Sequence, residues 1–171
     1  MVLLNSVLLE AACDRCKKGT LEEAILLANL GHFGQRDRGG HPYILHPLRV
    51  MERVKRFGVI TQTVAVLHDL IEDSPYFSED RLRQCGFSEV VIEALRYLER
   101  PKGMTILEAA DKLAALDVKN PAAVIAMRVK VADYNENSDL TRYETATEKD
   151  TFLANLYLEA LQIVSKTLAT A

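Results

Sequence analysis

No stretch of the 171-residue chain approaches the roughly 20 apolar residues that a helix needs to span a bilayer, so a membrane protein of that kind is not expected. A Lys/Arg block is lacking too. With 21 basic and 24 acidic residues the formal charge is −3, without the electrostatic footprint of a binder of nucleic-acid polymers, and any positive site must be local. Cysteines are few: Cys13, Cys16 and Cys85 make an odd, sparse set that suits a reducing cytoplasm better than a disulfide scaffold. Cys13 and Cys16 form a Cys-x-x-Cys pair, but no second pair completes a zinc site. Cys13 lies at helical spacing from Leu9, so two small residues on an amphipathic helix are the simpler reading. Met1 to Ala12 has no basic region before its apolar run, which soon meets Glu10, and a signal peptide is not expected.

Runs that alternate apolar and polar residues are also missing, while helix-start signals recur closely. The pattern predicts an all-α fold, a single domain over residues 1–171. A first helix follows Asn5 or Ser6 and ends before Gly19; Thr20 with Glu23 forms a capping box that opens a second, ending near Gly31. From Gly31 to Pro47 the breakers Gly34, Gly39, Gly40, Pro42 and Pro47 predict a loop, and it holds three of the four histidines. Pro47 suits the first position of the next helix, which Gly58 ends. Further helices are predicted from Thr61 to Asp73, Ser78 to Cys85, Ser88 to Arg100, Thr105 to Asp117, Asn120 to about Asn137, and Glu148 to Leu168. In the last, Phe152, Leu156, Leu161 and Val164 are among the apolar positions.

What the chain does have is concentrated chemistry in two places. His68-Asp69-Leu-Ile-Glu72-Asp73 sets four ionisable groups in six residues at the end of an apolar helix. Spacing of i and i+4 brings His68 near Glu72 and Asp69 near Asp73, a cluster of negative charge that attracts a divalent cation. Imidazole mixed with carboxylate, without thiolate, suits Mn²⁺, Fe²⁺ or Zn²⁺. Late in another helix Lys130, Asp133 and Asn137 fall at i, i+3 and i+7 and share one face. Each region alone is compatible with a solvated helix end or face.

Four elements occur in order: His32-x-Gly34-Gln35, Gly40-x-Pro42-Tyr43-Ile44-x-His46-Pro47, His68-Asp69-x-x-Glu72-Asp73 and Lys130-x-Ala132-Asp133-x-x-x-Asn137. Over about residues 20 to 160 this set resembles the HD-domain hydrolase of the alarmone enzymes, meaning the hydrolase half of Rel/SpoT proteins and the stand-alone small alarmone hydrolases. The resemblance implies an HD-type helical bundle and one divalent ion, usually Mn²⁺, held by His46, His68, Asp69 and Asp133. It implies that Glu72 and Asp73 activate the attacking water or move its proton, with outer support of the ligands as their other reading. It implies release of the 3′-pyrophosphate from (p)ppGpp, with Lys130, Asn137 and Tyr43 beside the nucleotide. His32 is then structural, and His41, without a counterpart, exposed.

Three departures bear on the substrate. Asp37 stands where the family has an arginine, Tyr134 where it has a basic residue after the late aspartate, and Asp139 where it has a second arginine. Arg36 or Arg38 is expected to reach in instead, and affinity for (p)ppGpp is expected to be weaker than usual. The expected enzyme is a cytoplasmic metal-dependent phosphohydrolase of a small nucleotide, with no nucleic-acid polymer or membrane as partner. Hydrolysis of another nucleotide phosphate, or a metal-stabilised binding module without turnover, are the alternatives.

Overall fold

The structure is a computed structural model that describes residues 18–170; the expected first helix and Cys13-x-x-Cys16 lie outside them. Thr20 opens helix α1 (Leu21–Gly31) by accepting the Glu23 amide proton on its hydroxyl. The Glu23 carboxylate reaches one residue further back than in a capping box and accepts from the Gly19 amide at 2.6 Å. Gly31 closes the helix against Leu70, where a side chain would not fit: a Cβ there would stand 2.2 Å from a Leu70 methyl carbon.

Helix α2 (Leu45–Arg53) begins earlier than its proline suggests. Pro47 is its third residue, still within the first turn, where a missing N–H leaves no intrahelical bond unmade. A 3-10 turn (Lys55–Phe57) and Gly58, at φ 93°, separate it from α3. Helix α3 (Val59–Leu67) is buried on nearly every side, as befits a helix apolar all round. Its threonines donate to carbonyls one turn back, Thr61 to Phe57 at 3.2 Å and Thr63 to Val59 at 2.9 Å, so neither hydroxyl is stranded in the core.

The expected single helix from Thr61 to Asp73 is broken in two. It stops at Leu67, His68 and Asp69 form the junction, and a short α4 (Leu70–Asp73) follows. Asp69, at φ −102° and ψ −4°, lies off the helical values and redirects the chain. Apolar periodicity cannot report such a kink, because Leu70 is as buried as Leu67.

Then come α5 (Glu79–Gln84), α6 (Glu89–Leu98), α7 (Ile106–Ala114), α8 (Pro121–Ser138), a 3-10 turn (Leu140–Arg142) and α9 (Glu148–Leu168). Ser78, Thr105, Asn120 and Thr147 cap α5, α7, α8 and α9 through their side chains, with full capping boxes at Thr105–Glu108 and Thr147–Asp150. The expected α6 and α7 ran two and three residues too long.

Helix α8 is the hub: α2, α3, α6, α7 and α9 all pack on it. Ala122, Ala123 and Ala126 on α8 are fully buried and let neighbours approach closely. Phe152 departs from its expected place in the apolar stripe of α9, being 63% exposed, while Ala154, Ala160 and Val164 carry the buried face. Among the described residues there is no strand, and no helix is long and apolar enough to cross a membrane.

Candidate metal centre and adjoining cavities

His46 sits in the first turn of α2, His68 and Asp69 at the α3–α4 junction, and Asp133 in the C-terminal half of α8. Because α2 and α3 both pack on α8, these three segments meet. His46 Nε2 lies 3.1 Å from Asp133 Oδ1 and 3.7 Å from Asp69 Oδ2. His68 Nε2 lies 3.1 Å from Asp69 Oδ2 and 3.6 Å from Asp133 Oδ1. Donors about 2.1 Å from one shared ion stand roughly 3 to 3.4 Å from each other; the two shorter separations fall in that range and the two longer ones lie a few tenths of an ångström beyond it.

His68 supplies the test of fit. Its Nδ1 is 2.7 Å from the Ala65 carbonyl oxygen, which accepts only, so Nδ1 carries the proton. In the neutral ring Nε2 is then a bare lone pair, buried and with no hydrogen-bond partner, aimed at two carboxylate oxygens. Lone pairs gathered in this way repel unless a cation lies among them. Burial opposes charge on His68, yet Asp69 and Asp133 outweigh it and push its pKa up to about 10: with no metal, a proton takes the cation's place. The donor set therefore fits a divalent ion, and His46, His68 and Asp133 bring their ligand atoms within 4.8 Å of one another.

Outer partners hold the carboxylates in place. Tyr43 donates its hydroxyl proton to Asp69 Oδ2 at 2.6 Å, and burial with the neighbouring Asp69 charge keeps that phenol well above its usual pKa. Lys130 Nζ is 2.8 Å from Asp133 Oδ2, and Asn137 donates to Asp133 Oδ1 at 2.6 Å. Burial alone would raise the Asp133 pKa, but Lys130 and the two histidines hold it far below the carboxylate range. Three residues expected at the nucleotide, Tyr43, Lys130 and Asn137, thus also orient ligand carboxylates.

Glu72 and Asp73 are exposed at the mouth of the same site. Partial burial, then the charge of Asp69, raises both of their pKa values. With them Tyr43, His46, Asp69, Lys130 and Asp133 line a cavity of about 230 Å³. Arg100, Ile106, Tyr134, Asn137 and Tyr157 complete its wall, and sequence reasoning missed Arg100 and Tyr157 because no motif marks either. A second cavity of about 170 Å³ adjoins it, sharing Tyr43, His46, Asn137 and Tyr157 and adding Arg36, Arg38 and Arg142.

No family model matches the chain. Among curated proteins it is 30% identical over 128 residues to a GTP pyrophosphokinase of Streptomyces coelicolor, covering 72% of this chain and 15% of that one. The bifunctional (p)ppGpp synthase/hydrolase SpoT of Escherichia coli is also 30% identical over 128 residues, 72% of this chain and 18% of SpoT. A guanosine-3′,5′-bis(diphosphate) 3′-pyrophosphohydrolase of Haemophilus influenzae is 28% identical over 116 residues, 66% of this chain and 17% of the relative. The chain thus spans under a fifth of the length of these relatives. Among solved structures, a metazoan ortholog of SpoT described as hydrolysing ppGpp superposes with a TM-score of 0.65 at 19% identity, covering 91% of this chain and 94% of that one.

The chain is a homologue of the Rel/SpoT alarmone enzymes and has their helical HD fold. Within this HD domain the remaining expected residues separate. His32 is buried, with Nδ1 2.8 Å from Gln35 Oε1 and its ring 4.9 Å from that of Tyr43, as suits a structural role. His41 is exposed. Arg38 pairs with Asp150 at 2.8 Å and Arg36 donates to the Gly40 carbonyl at 3.2 Å, so neither points a bare charge at the metal cluster.

The acidic departures are largely spent on local structure. Asp37 Oδ1 accepts the His41 amide proton at 2.9 Å and faces the His41 ring at 3.6 Å. Asp139 Oδ1 accepts from the Thr141 amide at 2.9 Å and from its hydroxyl at 2.6 Å. Tyr134 lies under Lys130, whose Nζ is 5.4 Å from the ring centroid.

Proposed function

We propose that this HD domain is a metal-dependent nucleotide phosphohydrolase that releases pyrophosphate from the 3′ position of (p)ppGpp. The observation that carries the reading is the buried His68 Nε2 lone pair aimed at Asp69 and Asp133, with His46 beside it and Glu72 and Asp73 at the open side. The names of the relatives supply the substrate. The mixed imidazole and carboxylate donors suit Mn²⁺, Fe²⁺ or Zn²⁺, of which Mn²⁺ is the ion that the family resemblance implies, and the sparse cysteines suit a reducing cytoplasm.

His46, His68, Asp69 and Asp133 would hold a divalent ion, which when bound would supply Lewis-acid polarisation of a phosphoryl oxygen and a lowered pKa for a water. The chain does the rest. Ala65 fixes the His68 tautomer, Tyr43 holds Asp69, and Lys130 with Asn137 holds Asp133, so the ligand atoms are in position before substrate arrives. Glu72 accepts the proton of the attacking water on its carboxylate, and its raised pKa brings it closer to neutrality, where a general base works best. Asp73, raised for the same reasons, is the second acceptor. The bond that breaks joins phosphorus to the ribose 3′-oxygen, which takes up a proton as it leaves, and Arg100, on the same wall, would offset the negative charge of the pyrophosphate under attack.

The test is Mn²⁺-dependent release of pyrophosphate from ppGpp, with products separated by ion exchange. Glu72→Gln should lower kcat by about 10²- to 10⁴-fold while leaving the bound metal in place. Turnover at the wild-type rate would reduce Glu72 to outer support. If ppGpp stays intact while another nucleotide is hydrolysed, the alarmone assignment fails and the phosphohydrolase reading stands.

A further inference from the structure

The second cavity is more than an annex to the first. Tyr43, His46, Asn137 and Tyr157 belong to both walls, so the two cavities give one elongated ligand room to run from Glu72 and Asp73 at one end to three arginines, with Asp37 and Asp150 among them, at the other. The three are not equivalent. Arg38 is neutralised by Asp150, and Arg36 is turned onto a loop carbonyl. Arg142 hydrogen-bonds only neutral partners, with the Asp139 carboxylate near enough to interact with its charge: Nη1 donates to Asn137 Oδ1 at 3.4 Å, Nη2 donates to the Tyr143 hydroxyl at 2.7 Å, and Nε is buried with no hydrogen-bond partner. A guanidinium with an unused buried N–H beside a cavity is prepared for a planar pair of anionic oxygens.

Its position follows from the departure at Asp139. The Asp139 carboxylate caps the 3-10 turn Leu140–Arg142 through Thr141, and that turn carries Arg142 to the cavity wall. An acidic residue that looks like the loss of a phosphate contact instead builds the turn that presents another cation.

We propose that Arg142 binds the anionic group at the end of the substrate remote from the metal cluster, the 5′-diphosphate of a nucleotide, and that Asp139 is its positioning residue. The inference rests on the metal-side cavity being the reaction centre of a nucleotide hydrolase. Its test therefore uses GDP, which carries a 5′-diphosphate but no 3′ group to hydrolyse, so the outcome does not depend on turnover.

Calorimetric titration of GDP and of uncharged guanosine into the full chain with Mn²⁺ is the experiment. Arg142→Gln should weaken GDP by about ten- to a hundredfold, the loss of a charge-assisted pair, without changing guanosine affinity. Arg142→Lys should recover part of the loss, because the charge remains while the fork is gone. Asp139→Asn, which removes charge from the cap but not Arg142 itself, should weaken GDP less than Arg142→Gln, and melting curves report whether each variant is folded. GDP binding equal in wild type and folded Arg142→Gln overturns the proposal, as does a wild type that binds GDP no better than guanosine. If both nucleosides weaken together, the effect is structural and the proposal also falls. Should ppGpp prove inert while the GDP contrast holds, the hydrolase substrate is wrong and the anion subsite remains.

Discussion

At the scale of single residues, the same carboxylate chemistry serves opposite ends depending on what surrounds it. Asp133 is buried and accepts from Asn137 and Lys130 while facing two imidazoles, so it stays ionised where ionisation would otherwise be costly. Glu72, a few residues from Asp69, is partly buried beside a like charge, and its proton is held more tightly instead. Asp37 belongs to neither class. The departure it makes suggests that Asp37→Arg would restore a phosphate contact, but its Oδ1 holds the His41 amide across the Gly39-Gly40 turn. Asp37→Arg is therefore expected to cost about 1 kcal/mol through the lost turn hydrogen bond and to leave the KM for ppGpp no lower. Denaturant midpoints and initial rates measure both parts. A lower KM at unchanged stability would show that Asp37 opposes the substrate.

Among elements, the short helix α5 is anchored in the core by its buried Leu82 and tied to α6 at the surface by charge. Glu79 accepts from Arg96 of α6 at 2.7 and 2.5 Å and from Arg83 at 3.0 Å. The Arg96 hydrogen bonds, more than those of Arg83, bring its pKa down to about 2 from an ordinary 4.5. A depressed carboxyl stabilises the fold above its unfolded pKa, and that contribution is lost as pH falls toward the folded value. Wild type should therefore exceed Glu79→Gln in stability near pH 6, and the gap should shrink through the window from about 4.5 to 2. Denaturant unfolding at several pH values checks it, and a gap independent of pH would remove the clasp from the account. Because Glu79 is partly open to solvent, salt should narrow the gap as well.

On the scale of the whole molecule, the metal cluster joins α2, the α3–α4 junction and α8, elements far apart in sequence. Glu136 adds a second tie on α8, accepting from Arg53 at 2.8 Å and from Arg49, both on α2. A ligand bound only by the folded state stabilises it by mass action, about 2.7 kcal/mol at a hundredfold excess over Kd. For a domain of this size that corresponds to a rise of roughly 5 to 10 °C in Tm. Adding Mn²⁺ to chelator-treated protein should produce such a rise, and His68→Ala should abolish it. An equal rise in that variant would place the ion elsewhere.

Much of this was written in the chain itself. Caps at Thr20, Ser78, Thr105, Asn120 and Thr147 act within a turn or two, so the helix starts that they set are local facts, and the last helix matches its expected bounds. His68 and Asp69 stood out for a similar reason, since ionisable groups inside apolar runs are costly unless they serve a purpose, whereas His46 and Asp133 joined them as ligand candidates only through the family resemblance. Other features depend on partners distant in sequence. The kink at His68-Asp69 exists because Leu70 packs beneath Gly31 of α1 while Asp69 must face His46, and no periodicity along one helix encodes that. The exposure of Phe152 was decided by where α8 lies against α9. Arg142 and Arg100 stand in no motif, and only folding brings one onto the wall with Arg36 and Tyr43 and the other onto the wall beside Glu72. Sequence determined which residues were expensive to bury; the tertiary structure decided which of them converge closely enough to hold a cation, because that depends on distances that no local pattern fixes.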